Sequence, residues 1–505
     1  MKTVTEMVTW LNTPGHIKCI LADITEVGNI INTNVSSFFL SNMAYFGNSQ
    51  SYNAGITGGL SFSESLSVNG QASLSFGTLE FVNTAGVHDD YLTYVWNKRP
   101  IKIYLGDPSW PKTDFVLIFD GLIQELTAPN ESTLSFTLFD KLQRLNDPIS
   151  ERTLADTSYS QNTQENVLPL LFGEAFNIQP LLVDNGITSG LGQVYMVHDG
   201  AIKGIIEARD NGIPITVTEN NSDGTFTLLT TPQGTITCSA QGKTTYTDTV
   251  AGIITQITTN YGTLVNRFNT NELSLTDPDH TSSLSSPVGF YCSDRTNILD
   301  ACNQLAKSVN ANLVCPSIVV TNNVVSTSKL RLVEIKTPSL PTGKTEDSLV
   351  LLGDDNMIIN SLSIQEMFPV KPSIKLAYCK NYTVQKTVAG GVNPESLFDA
   401  AYIYAVKEND DKKLLYKDSG TVSEEETLLL DTTAADLEAQ KRLTLWQSQR
   451  YIITADYLPQ LIFTQLGDIV KIKSARFGLK DGKLAMVYSI SRNWVTGIVN
   501  IGVLV

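Results

Sequence analysis

The stretch LIFDGLIQELTAPNESTLSFTLFD, from Leu117 to Asp140, limits the fold more than any other. Leu134, Phe136 and Leu138 fall on one face of an extended segment, with Ser135 and Thr137 on the other. Alternation with a period of two, broken by Pro and Asn, is the pattern of half-buried antiparallel strands joined by a turn. The same pattern recurs. RPIKIYLGD (99–107) alternates Ile101, Ile103 and Leu105, GGLSFSESLSV (58–68) alternates Leu60 and Phe62, and SLSFGTLEF (73–81) sets Leu74 and Phe76 on one face. After a short amphipathic helix around Glu6–Leu11, the first 150 residues therefore predict a closed or nearly closed β-domain, residues 1–150.

The pattern then changes twice. In 194–242, His198-Asp199-Gly200, Asp210-Asn211-Gly212 and Ser222-Asp223-Gly224 supply the positive φ that tight hairpins need, so 151–249 reads as a small β-module. From Val250 the apolar spacing becomes helical. Ile253, Ile254 and Ile257 share a face, with Gly262 suited to the helix end, and Ile298, Leu299, Cys302, Leu305 and Ala306 repeat the form. With the strand KLRLVEI, 250–345 predicts a small α+β domain. KTPSLPTGKTED (336–347) is a linker. Residues 346–505 then predict a second β-domain with one helix, 432–450, capped by Thr432 or Thr433 and burying Ala439, Leu443 and Trp446.

Front and back echo each other. PIKIYLGD is followed by the hairpin GLIQELTAPNESTLSFTL, and GDIVKIK by the hairpin VYSISRNWVTGIVNIGV at a similar distance. The echo is either the loose likeness of unrelated β-domains or two copies of one β-module. In the latter case three chains would place six such modules in a ring.

Reactive chemistry is hard to find. The six cysteines, at 19, 238, 292, 302, 315 and 379, form no CxxC pair, so buried free thiols in a reducing compartment are expected and zinc or iron–sulfur ligation is not. The Gly-Lys-Thr triplets in PTGKTED and QGKTTY lack the earlier glycine of a phosphate loop. His16, His88, His198 and His280 are scattered, and His198 is expected to hydrogen-bond the backbone of its own turn. VHDD (87–90) and DPDH (277–280) read as solvated turns, and no GxSxG occurs. No catalytic, cofactor-binding or metal-binding residues are therefore assigned, and an enzyme is not expected. Glu6 interrupts any signal-peptide core, and no run of 18 apolar residues predicts a membrane helix.

The formal net charge of −15 argues against wholesale nucleic-acid binding. It is unevenly spread: Lys441–Val505 holds nine Lys/Arg and three Asp, or +6, leaving −21 on the rest. Acidic and basic parts that meet in an assembly would use such a contrast to set register. Five of the nine basic residues, Lys471, Lys473, Arg476, Lys480 and Lys483, fall close together in this last part.

Taken in order, FDGLIQEL…STLSFTLFDKLQRLNDPI (119–149), LLFGEAFNIQPLLVD (170–184), VHDGAIKGIIEARDNGIPI…GTFTLLTTPQGTITC (197–238), SIKLAYCKNYT (373–383), ADLEAQKRLTLWQSQ (435–449) and 467–503 resemble the hub proteins of bacteriophage tail tips and baseplates. The resemblance implies a mainly β, multidomain fold with two tube-like antiparallel β-barrel domains and inserted modules. It implies a homotrimeric structural virion protein that joins a sixfold tail tube to a threefold tip and lines the DNA channel. Its partners would be distal tail or tail tube proteins, central tip or fibre proteins and the tape measure protein, with DNA passing unbound. Assembly in the host cytoplasm and residence in the virion tail tip follow. Other readings are a hexameric distal tail protein and a receptor- or carbohydrate-binding tip protein. No iron–sulfur module is transferred from those hubs that carry one, because the cysteine spacing offers no such cluster.

Overall fold

The computed structural model describes residues 1–505 except 32–33, 69, 71–75, 160–164, 187–189, 191, 265, 277–284, 390–395 and 418–419. Leu74, His280 and the carboxylates of 277–280 lie outside the described residues. The fold is mainly β, in several sheets, with a small helical share.

Helix α1 (Val4–Leu11) opens the chain. Thr3 and Glu6 form a reciprocal capping box, and Met7 and Leu11 bury its apolar side. Among the described residues, nine strands of four residues or more follow in the first region: β1 (Cys19–Asn29), β2 (Val35–Ser41), β3 (Gln50–Ala54), β4 (Ile56–Gly59), β5 (Ser61–Ser65), β6 (Phe76–Val82), β7 (Arg99–Gly106), β8 (Val116–Asn130) and β9 (Thr133–Phe139). The expected faces are the observed ones. Ile101, Ile103, Leu105, Leu134, Phe136 and Leu138 are all fully buried.

Their pairings run β2–β1–β7–β8–β9–β6 in antiparallel steps. β3 and β4 are one run broken at Gly55, which serves both ends of that series. β3 lies parallel to β2 and β4 antiparallel to β6. Gly55 donates its N–H to the Ser41 carbonyl at 2.7 Å and accepts from Val82 N–H at 2.8 Å. The pairings thus return on themselves.

The last region repeats this with β10 (Leu351–Gly353), β11 (Ser363–Phe368), β12 (Arg450–Tyr457), β13 (Ile469–Lys473), β14 (Lys483–Asn493) and β15 (Val499–Leu504). Antiparallel steps run β13–β14–β15–β12–β11, and β10 returns parallel to β13. The order β7–β8–β9–β6 matches β13–β14–β15–β12. Each hairpin has a register shift, between Ile123 and Glu125 in β8 and between Val487 and Ser489 in β14. The strand order thus reproduces the sequence echo.

Two features depart from the expected pair of antiparallel barrels. Each series has an odd number of strands if an interrupted run counts once, and a ring of alternating directions with odd membership needs one parallel neighbour. The β2–β3 and β10–β13 pairings supply it. Nor do the rings stand apart. β5 bends off at Leu60 (φ 62) and pairs antiparallel with β14, from Ser65↔Ser489 to Ser61↔Asn493. One strand network spans both regions.

The middle of the chain packs across the expected segment limits. Strand Leu170–Ile178 pairs with Ile236–Gly242 of the small β-module and also with Gly289–Cys292. Helices α2 (Val250–Asn260), α3 (Ile298–Ser308) and α4 (Thr432–Trp446) share one core. There Ile253, Leu305 and Leu332 meet Ile374, Leu376 and Leu443, so the packing joins 250–345 to part of 346–505. The cap of α4 is Asp431, whose carboxylate accepts from Ala434 N–H at 2.8 Å, not Thr432 or Thr433. Its expected stripe of Ala439, Leu443 and Trp446 is buried.

Candidate functional site

Several of the described residues singled out for chemistry are engaged structurally. His198 is buried, and its Nδ1 accepts from Leu171 N–H at 2.9 Å, a strand amide and not the turn's own. Burial, with Lys243 nearby, drops its pKa to about 3, so the ring is neutral. Lys243, from one Gly-Lys-Thr triplet, sits 5.0 Å from the Tyr261 ring centroid. Asp89 accepts from the Asn83 side-chain amide at 2.8 Å. Five cysteines are buried free thiols and Cys379 is half-buried. Burial pushes Cys19 and Cys292 up to about 12, away from the thiolate. Among the described residues, no three His, Cys, Asp or Glu side chains gather as a metal would need.

A cavity of about 880 Å³ is lined in part by Tyr195, Tyr291, Asp294, Lys380 and Tyr382. Several of its polar atoms bond within the protein. Tyr291 donates to the Gln179 carbonyl at 3.0 Å, Tyr382 Oη accepts from Tyr291 N–H at 3.1 Å, and Asp294 accepts from Thr296 N–H at 3.1 Å. These contacts form no nucleophile–base pair.

The concentrated polar chemistry lies at the joints. On β5, Phe62 and Glu64 share the inward face, so a carboxylate enters the core beside a phenylalanine. On β14, Arg492 lies diagonal to it, 3.3 Å away at Nη1, and both side chains are buried. Glu64 Oε1 accepts from Ser317 N–H at 2.9 Å and from the Ser317 hydroxyl. Arg492 donates from Nε to the Ile462 carbonyl at 2.8 Å and from Nη2 to that of Thr464 at 2.6 Å. One ion pair thus binds the first ring, the last ring and the α+β region.

Two more joints follow this plan. Asp120 Oδ2 of β8 accepts from Lys141 Nζ at 2.7 Å and from Ser328 N–H at 3.0 Å. Arg442 of α4 donates to Glu438 at 2.7 Å, to Glu425 at 2.5 Å and to the Lys307 carbonyl of α3 at 2.7 Å. Burial pushes Glu425 up, but Arg442 and Lys371 outweigh it and hold its carboxyl down at about 2. Burial raises Glu438 despite Arg442. Pairs of this kind add little net stability but penalise any arrangement that separates them. They fix how the rings sit on the shared core. Sequence reading missed Glu64 and Arg492, although a charged residue at the inward phase of an alternating strand is a usable signal.

The five basic residues of 471–483 divide. Lys471 pairs with Glu346 at 2.8 Å, while Lys473, Arg476, Lys480 and Lys483 are exposed.

No protein-family model matches the chain, and no curated relative is found. Among solved structures it is similar to the 43 kDa tail protein of prophage MuSo2 from Shewanella oneidensis, at 10% identity and TM-score 0.42, covering 96% of this chain and 98% of that one. Prophage tail protein gp18 from Listeria monocytogenes gives 10% identity and TM-score 0.41, covering 96% and 94%. A tail protein from Neisseria meningitidis gives 8% and 0.40, covering 96% of each chain. Scores this low leave function to be argued from the chain's own residues.

Proposed function

We propose that the chain is a structural protein of a phage-type tail. In this reading it is the tip or baseplate hub, a homotrimer that joins a sixfold tube to a threefold end and lines the DNA channel. The observation that carries the reading is the β5–β14 joint. It makes two rings of like strand order neighbours within one chain, locked by Glu64 and Arg492. Three chains then offer six modules, the number a sixfold tube requires at its end. The acidic balance fits a channel that lets DNA pass unbound. Distal tail or tube proteins would meet one end of the ring, and central tip, fibre and tape measure proteins the other. Assembly would take place in the host cytoplasm and the mature location would be the virion.

The test is a reconstruction of tail tips containing this chain. Three copies around the axis, with both rings of each copy in one layer, are expected. Six copies would replace the hub with a distal tail ring protein, and copies on outlying fibres would favour receptor binding.

A further inference from the structure

The turn after β13 carries an exposed aromatic residue in a costly conformation. Phe477 has φ 54 and is 49% exposed. Bulky residues avoid the left-handed region, and such strain persists where the surroundings or a function require it. Exposed Lys473, Arg476, Lys480 and Lys483 surround it in sequence, with Asp481 the one acid between them. None of these four cations makes a salt bridge to a described residue. Beside Phe477 lies a groove of about 450 Å³ in which apolar Met357, Ile359 and Leu362 sit with Asp354, Ser474 and Arg476, and Ile359 is 88% exposed. The tip is therefore cationic and apolar together.

A surface of opposite charge lies on the first ring. Gly28 of β1 pairs with both Val35 and Val95, and Ile30 N–H donates to the Thr93 carbonyl at 2.9 Å. These ladders gather Ile30, Ile31, Val35, Leu92 and Val95 at one end, with Ile31 78% and Val35 70% exposed. Glu26, Asp89 and Asp90 are exposed beside them, and segments 26–35 and 87–95 contain no Lys or Arg. Arg99 reaches the Val95 carbonyl at 3.3 Å, and Lys98 is neutralised by Asp147 at 3.0 Å. Clustered exposed apolar residues of this kind mark contact sites.

We propose that the 473–483 tip of one copy docks on this end of the first ring of a second copy, with Phe477 as the apolar anchor and Asp89 and Asp90 opposing the four cations. A buried aromatic gives such a contact its strength, and the charges give it register and rate. The two surfaces differ, so the contact is head-to-tail, the kind that builds rings. Nucleic acid is the weaker fit for the tip, because the groove beside it sets the carboxylate of Asp354 next to apolar Met357, Ile359 and Leu362 and the chain as a whole is acidic. The inference rests on the proposed role of the chain as an assembling structural protein.

Sedimentation of the purified full chain tests it. Wild type is expected to associate with rising concentration, less so at about 0.5 M salt than at about 0.05 M. Phe477→Asn is the informative variant, since Asn tolerates the left-handed region better than Phe. It should melt at or above the wild-type temperature yet associate about tenfold more weakly. Lys480→Glu should weaken association, and adding Asp90→Lys should restore it. A folded wild type that stays monomeric would overturn the proposal, as would Phe477→Asn associating like wild type or a charge swap that restores nothing. Lys480→Glu that alters binding to duplex DNA alone would assign the tip to nucleic acid and overturn it too. A chain that self-associates through this contact but is missing from tail tips would support the inference and sink the proposed role.

Discussion

The two strand rings share an order but not a way of closing. In the first, the closing run breaks at the single residue Gly55, which bonds Ser41 on one side and Val82 on the other. In the last, it breaks over Asp354–Leu362, where Ile358 N–H bonds the Asp456 carbonyl at 2.8 Å before β11 begins. The shared part, β7–β8–β9–β6 against β13–β14–β15–β12, is a set of antiparallel neighbours held by alternating buried residues. The part that differs is the parallel junction an odd ring needs. A repeated module can thus keep its hairpins and vary its seam.

If the shared hairpins are equivalent, each should contribute similarly to one cooperative unit. Phe136, on β9, meets Trp96 edge-on at 5.0 Å in the first ring, and Ile501, on β15, is buried in the last. Phe136→Ala is expected to cost about 3–5 kcal/mol and Ile501→Ala about 2–5 kcal/mol. Denaturant unfolding followed by tryptophan fluorescence and by circular dichroism should give one coincident shift for each variant. Separate transitions for the two rings would break the equivalence and the single network with it.

The joint gives the next largest effect. Arg492→Met leaves Glu64 buried without its cation and should cost about 3 kcal/mol. Adding Glu64→Leu removes that charge and should recover most of the loss. A double variant no more stable than Arg492→Met would mean that the pair is not what locks β5 to β14.

The inserted β-module should respond to acid before the rings do. His198 titrates near 6.5 when unfolded and near 3 in the fold, because burial disfavours its cation. The unfolded chain therefore binds the extra proton across that window. Stability from this site is intact above about pH 6.5 and falls as pH drops toward 3. The loss is about 2 kcal/mol at pH 5. Glu425 acts in the same direction, but only below its ordinary value near 4.5. Hydrogen exchange at pH 5 should show opening around Leu171. His198→Asn keeps an acceptor for that amide and should flatten the dependence. An unchanged pH profile in His198→Asn would place the acid response elsewhere.

Much of each element was legible in the sequence, and little of its partnership was. Alternation identifies which residues of β7 and β9 face inward, because a one-residue slip would expose Ile103 or Phe136. It does not say which strand lies alongside, so the β5–β14 pairing of residues some 430 positions apart left no local trace. Nor did the sequence place 373–378, an apolar strand that packs on α4 and the α+β core, not in the last ring. The α4 cap was displaced by one residue because Thr432 and Asp431 can both accept from a first-turn amide. The exposed tip was visible as charge in the sequence, but the conformation of Phe477 was not.

The smallest effect tests the seams themselves. A Cβ on Gly55 would lie 2.8 Å from the Phe81 ring. That ring is fully buried and sits edge-on to His88 at 5.1 Å and stacked on Tyr91 at 6.2 Å, so it cannot swing aside freely. Gly55→Ala must shift either the ring or the bonds to Ser41 and Val82, and should cost about 1–2 kcal/mol. The seam of the last ring has room. Asn360 adopts φ 66 in its exposed break, where glycine is equally at ease, so Asn360→Gly should change stability by less than about 0.5 kcal/mol. Melting temperatures of the two variants measure the difference directly. Equal losses would mean that both seams are packed alike, and the rings would then differ only in strand number. A tolerant Gly55 would place the closure of the first ring in its β3–β2 ladder and not at that residue.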